Sequence, residues 1–231
     1  MTSPKVIWMY WEQGEANLKD KYNKMCIEGW KRMNPDWNVV VLDKQSMLQL
    51  LPEVDDFFGW TTVQIRSDII RTKLLLKYGG VWADASTLPL KPLTGNIENI
   101  DNGSNLFLYK LIDDKFHRPL SSWFIIAYIK NHYFLKELDK EFTKRLYECK
   151  RKHTKIEYFL WYDAMRDLSL KDKKIKDVID KQTIYNTKSK IHNKGIHLDL
   201  DISNYNNLPL MFKRNRYISN EKYDKYLNSI I

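Results

Sequence analysis

Apolar residues along this chain switch between two periods, and the switches mark its elements. Lys5 to Trp11, KVIWMYW, is β-branched and aromatic without helical spacing, which predicts a buried first strand. EQGE breaks the run. From about Asn17 to Arg32 the pattern is helical, and the proline of NPDW forces the residue before it toward extended backbone and ends the helix. Trp37 to Asp43, WNVVVLD, is a second strand, and KQSMLQLL a short helix with Ser46 as its candidate cap. A longer helix spans Thr62 to Tyr78, with Ile65, Ile69, Ile70, Leu74 and Leu76 on its apolar side and Gly79 as its stop. Strand and helix alternating in this order predict an α/β fold with a mostly parallel sheet.

The stretch that follows, GVWADAST, carries the first chemical signal. GVWA is short and wholly apolar, so it reads as an internal strand, yet Asp84 stands at its carboxyl end. That end is where open α/β sheets bind ligands. LPLKPLTGN reads as a loop, NLFLYKLI and SSWFIIAYI as two further strands separated by the loop DDKFHRP, and residues 134–151 and 156–169 as two helices. Beyond Lys171 the periodicity is weak.

Composition narrows the class. The 231 residues suit one domain with a C-terminal elaboration, and 43% apolar with 29% charged residues is ordinary globular usage. The net charge of +9 makes anionic partners plausible, nucleic acid among them. Much of it lies in KRLYECKRKHTK and LKDKKIKD, where lysines alternate with acids as on solvated helix faces, and no nucleic-acid motif accompanies them. No run reaches the roughly 20 apolar residues of a membrane span, and MTSPKVIWMYW has no signal-peptide pattern, so a cytoplasmic location is expected, with at most weak peripheral membrane contact through the basic surface. Cys26 and Cys149 lack metal-site spacing and read as free thiols.

SDIIRTKLLLKYGGVWADAS resembles the core of the GT-A nucleotide-sugar glycosyltransferases, in particular the capsular-polysaccharide-synthesis group, its viral relatives and the related DXD sugar-binding group. There an S-D-x-x-R helix leads through Y-G-G to a strand bearing the acidic motif. IWMYWEQG and CIEGWKRMNPDWNVVVLD are similar to the same family's first strand, first helix and second strand, so the likeness spans residues 5–92, with a fainter echo at SSWFIIAYIKNHYFL. It implies a GT-A fold whose residues 1–92 hold a nucleotide sugar and whose residues 93–231 form the acceptor side. It also implies transfer of a hexose, with UDP as the default base, to a glycan hydroxyl, with the retention that the related families suggest.

The resemblance assigns site residues. Asp84 is the first-choice ligand for Mn²⁺ or Mg²⁺ and Ser86 the second, standing where many relatives have another acid. Such an ion would stabilise the leaving diphosphate as a Lewis acid. Asp68 would contact donor hydroxyls, and Arg71 would orient Asp68 or meet sugar or phosphate. Tyr10 and Trp11 are favoured as the base clamp over Trp8, which is a candidate core residue.

Elsewhere the residues leave alternatives open. Trp123 lines a sugar pocket or fills the core; Asp163 is a buried acid near the acceptor or a solvent-facing one. Asp113, Asp114, His117 and Arg118 form an acceptor-side loop or a plain solvated one, and Lys213, Arg214 and Arg216 could close over the diphosphate. His192 and His197 are not spaced as a metal pair. Two other functions stay open: a silent sugar-nucleotide or glycan binder, because Ser86 replaces an acid, and a basic nucleic-acid-binding domain.

Overall fold

The computed structural model describes residues 4–110, 120–184, 188–192, 195–199 and 210–213. Its centre is a five-stranded sheet made of β1 (Val6–Tyr10), β2 (Asn38–Leu42), β3 (Gly80–Ala83), β5 (Leu106–Lys110) and β6 (Leu120–Ala127), in the order β2-β1-β3-β6-β5. β1 runs parallel to β2 and β3, while β6 is antiparallel to both β3 and β5. Four of the five strands therefore point one way and β6 alone is reversed, which gives the expected mostly parallel sheet.

Period-two alternation on these strands feeds two apolar layers. Ile7, Met9, Val81 and Ala83 face one layer, where α1 (Lys21–Met33) packs. Trp8, Tyr10 and Trp82 face the other, shared with α2 (Lys44–Leu50), α3 (Val63–Tyr78), α4 (Tyr133–Lys152), α5 (Leu160–Lys171) and α6 (Lys173–Asp180). Each fully buried Ile or Leu on α3 contributes about 1.5–3 kcal/mol by leaving water, enough to hold a helix whose polar residues are also buried.

Local chemistry corrects several boundaries. α1 begins at Lys21, not Asn17, because the Asp20 carboxylate accepts from the backbone N–H groups of Tyr22 and Asn23. The cap of α2 is Asp43, with Ser46 as its reciprocal partner three residues on, at 2.7 and 3.0 Å. α5 starts at Leu160 rather than residue 156. α6 was not foreseen: Asp172 caps it, and Ile175 and Ile179, one turn apart, are buried.

The expected loop after Asp84 contains another strand, β4 (Thr87–Pro89), which pairs antiparallel with β9 (Met211–Lys213). β7 (Lys188–His192) and β8 (Gly195–Asp199) form a separate hairpin, with His192 opposite Gly195 and His197 opposite Lys190. Asp113, Asp114, His117, Arg118, Arg214 and Arg216 lie outside the described residues.

Two glycines make the α3–β3 connection. Gly79 takes φ +68° and closes the helix, its N–H donating to the Leu75 carbonyl at 2.9 Å. Gly80 takes φ +89°, and a Cβ there would lie 2.6 Å from Val6 Cγ1 and 2.8 Å from the Val6 carbonyl oxygen. Gly80→Ala is expected to cost about 2–4 kcal/mol through strained backbone and overpacking, read as a lower urea midpoint. A midpoint equal to that of the parent would mean β1 and β3 are not packed this closely.

The lysine-rich runs do lie on helices beside acids. On α4, Lys140 meets Glu137 at 2.7 Å and Arg145 meets Glu141 at 2.8 Å and Asp167 of α5 at 3.0 Å. Among the described residues, no helix is long and apolar enough to cross a membrane.

Candidate active site

β3 ends in a turn. Asp84 N–H donates to the Trp123 carbonyl at 2.9 Å, and Thr87 returns both its N–H and its hydroxyl to the Asp84 carbonyl, at 2.8 and 2.6 Å. The chain reverses over Ala85 and Ser86 and enters β4. The Asp84 side chain is thus fixed at the carboxyl edge of the sheet. Extending the parallel register of Trp8 with Trp82 puts Tyr10 level with it on β1.

α3 supplies the facing groups. Arg71, almost fully buried, lies between two carboxylates: Nη1 is 2.8 Å from Asp68 Oδ1, and Nη2 donates to Asp84 Oδ1 at 3.2 Å and to Ser67 Oγ at 3.0 Å. Its guanidinium carbon stands 5.2 Å from the centre of the Trp82 ring, whose Nε1 donates to the same Asp84 oxygen at 2.9 Å. From the other side Lys213 of β9 donates through Nζ to Asp84 Oδ2 at 2.6 Å and to Ser86 Oγ at 2.7 Å. Two carboxylates and two cations form one chain of contacts.

The two carboxyls are shifted in opposite directions. Burial raises the Asp68 carboxyl to about 6, further than Arg71 can pull it back, and the Asp84 charge adds to the rise. Burial works against Asp84 as well, but Lys213 and then Arg71 outweigh it and hold that carboxyl below its usual value. Burial, with the Asp68 charge, also pushes the phenol of Tyr162 on α5 up to about 12, and its hydroxyl meets Ser122 Oγ at 2.6 Å.

Asp68 makes stability depend on pH. Its folded value, about 6, lies above its ordinary 3.8, so between these the folded chain holds a proton that the unfolded chain has lost. Its contribution to stability should fall as pH rises through that window. Urea midpoints of the parent minus those of Asp68→Asn, followed from pH 4 to 7, are expected to decline; a flat difference would mean Asp68 is not held protonated.

Other sequence candidates fall in different places. The Trp8 ring belongs to the core: it is buried, tilts against Tyr78 at 5.7 Å and donates Nε1 to the Gly79 carbonyl at 2.9 Å. Tyr10 is buried as well, and its hydroxyl donates to Glu12 Oε2 at 3.1 Å. Trp11 is half-buried just beyond the end of β1. Trp123 is buried and stacks on Tyr109 with centres 5.7 Å apart. Asp163 pairs with Arg166 at 2.9 Å, with about a third of each side chain exposed, and stands apart from the contact chain around Asp84.

Three groups near these residues were not expected from the sequence. Glu12 and Arg66 make a forked pair at 2.8, 2.9 and 3.0 Å beside Tyr10, and Tyr162 stands one residue before the acid that was singled out. A charged residue directly after an apolar strand was the signal for Glu12.

A sheet of this topology with its polar cluster at the carboxyl edge belongs to the GT-A class of folds. The solved structure of the PaToxG glycosyltransferase superposes with a TM-score of 0.53 over 77% of this chain and 74% of that one, at 15% identity. The family model for capsular polysaccharide synthesis protein matches residues 1–209, and the chain belongs to that family. Among curated proteins it is similar to the O-glycosyltransferase braB of Annulohypoxylon truncatum, 32% identical over 100 residues. It is also similar to the initiation-specific alpha-1,6-mannosyltransferase of Candida albicans, 34% identical over 106 residues. These matches cover 38% and 42% of this chain and 24% and 27% of the two relatives, so the chain spans about a quarter of their lengths.

Proposed function

We propose that the protein is a glycosyltransferase that moves a hexose from a nucleoside-diphosphate sugar, UDP-linked by default, to a hydroxyl of a glycan acceptor with retention at the anomeric carbon. The observation that carries this reading is the cluster of Asp68, Arg71, Asp84, Ser86 and Lys213 at the carboxyl edge of the sheet. It lies in a chain whose family and fold are those of sugar transfer. In the reaction the bond from C1 of the sugar to the diphosphate breaks, the acceptor oxygen bonds to C1, and the acceptor proton leaves with the departing phosphate oxygen.

Arg71 and Lys213 bring positive charge to the edge where the diphosphate gathers negative charge, which is the electrostatic help this reaction needs most. The Asp84 carboxylate fixes both cations, and Asp68, on the opposite side of Arg71, is placed for donor hydroxyls. Tyr10 is sealed by burial and by its bond to Glu12, so Trp11 is the better-placed aromatic for the base.

The expected Mn²⁺ or Mg²⁺ fits these residues poorly. A divalent ion at this edge would rely on Asp84 Oδ2 and Ser86 Oγ, and the Lys213 ammonium holds both at 2.6 and 2.7 Å. Among the described residues, no group of three His, Cys, Asp or Glu could hold a metal ion. The roles given above to Arg71, Asp84 and Lys213 use no metal.

The test is thermal stabilisation by UDP, GDP, ADP and CDP and their hexose conjugates, followed by chromatography of the stabilising donor with and without a glycan acceptor. A rise in melting point with one base, followed by sugar release or a new linkage, is expected. No rise with any base would sink the reading, and a rise without release would leave a sugar-nucleotide binder.

A further inference from the structure

We propose that the ammonium of Lys213 takes the place of a divalent cation in this site, meeting the donor diphosphate directly. This rests on the glycosyltransferase reading. The Nζ atom bridges Asp84 Oδ2 and Ser86 Oγ, the two oxygens that a metal at this strand end would share. An ammonium is a compact point charge with N–H donors, and it binds phosphate oxygens well.

Its position is set by the backbone. The ladder pairs Lys213 with Thr87, three residues beyond Asp84, and Met211 with Pro89. The strand is pinned upstream, where Met211 is buried in the layer under the sheet, Leu210 N–H donates to Tyr109 Oη at 2.9 Å, and the Leu210 carbonyl accepts from Leu90 N–H at 2.9 Å. Trp30 anchors the opposite strand by donating Nε1 to the Thr87 carbonyl at 2.8 Å. Lys213 therefore reaches Asp84 from a fixed starting point.

Among the described residues, Arg71 and Lys213 face the carboxylates of Asp68 and Asp84, and Ser86 gives the ammonium a neutral acceptor where a second carboxylate would bind it more firmly and compete with phosphate. A divalent ion would have to displace the Lys213 ammonium from these oxygens, replacing one positive charge by two beside Arg71. The side chains of Lys213 and Asp84 are 25% and 22% exposed, so the pair opens to a ligand and is not sealed in the core.

The experiment is calorimetric titration of the full chain with the four nucleoside diphosphates, once in EDTA and once in Mn²⁺. Affinity for the preferred base is expected to agree within threefold between the buffers. In EDTA, Lys213→Met should weaken it at least tenfold and Lys213→Arg by less. The double variant Ser86→Asp/Lys213→Ala should bind at least tenfold tighter with Mn²⁺ than with EDTA. Binding by the parent only in Mn²⁺ would overturn the proposal while leaving the transferase reading standing, as would unchanged affinity in a folded Lys213→Met. If Lys213→Met does not fold, the comparison of the parent in the two buffers decides. Binding of no nucleoside diphosphate in either buffer removes the transferase reading and this proposal with it.

Discussion

Asp84→Asn is expected to lower sugar transfer, or hydrolysis of the donor, by at least about 100-fold, the range seen when one preorganised electrostatic group is removed from a site. The amide keeps the shape and an oxygen for the Trp82 indole but removes the charge that holds Arg71 Nη2 at 3.2 Å and Lys213 Nζ at 2.6 Å. Both cations then repel each other across a neutral group, and Lys213 can swing toward water. Because Lys213 is partly exposed, the loss of stability should be smaller than for a sealed pair, so melting curves separate a folded, inactive variant from a collapsed one. Full turnover in Asp84→Asn would take this carboxylate out of the chemistry.

Arg71→Met should do most of its damage to the fold. The guanidinium is nearly sealed from solvent between Asp68 and Asp84; deleting it leaves two acids facing each other with one cation gone. Breaking a buried pair from one side costs about 3–5 kcal/mol, because the remaining charge has neither water nor partner. Adding Asp68→Asn should recover at least about 1 kcal/mol, since the amide needs no counter-ion, and the two changes touch the same contact and will not add. Urea unfolding of the parent, the two single variants and the double variant measures the cycle. A single Arg71→Met variant within 1 kcal/mol of the parent would show that the acids are already neutral or hydrated.

The parts of this arrangement that lie close together along the chain were legible in the sequence. Asp68 and Arg71 are three residues apart on a helix whose apolar period is unmistakable, and two glycines and a four-residue strand place Asp84 beside them. The Glu12–Arg66 fork joins residues 54 positions apart in the chain, so no local period could announce it. Tyr162 stands one position before Asp163, whose alternatives of buried and solvent-facing were left open; helix phase turns the phenol toward Ser122 and the acid outward to Arg166. β4 and α6 escaped for different reasons. A three-residue strand ending in proline shows no alternation of its own, and α6 hides two buried isoleucines among lysines that alone suggest solvent.

The pairing of β4 with β9 also sets an order of assembly. Asp84 and Lys213 are 129 residues apart, so a chain emerging from the ribosome at roughly 5–20 residues per second presents the acid on the order of ten seconds before its ammonium partner. Sheet strands β1, β2, β3, β5 and β6 are all synthesised by residue 127, yet the edge proposed to meet the donor lacks its Lys213 contact until β9 docks. Closing so long a loop is slow relative to local pairing, which makes docking of this strand a late folding event. The nascent protein would then be folded before it is competent, its activity switched on by the arrival of one short strand.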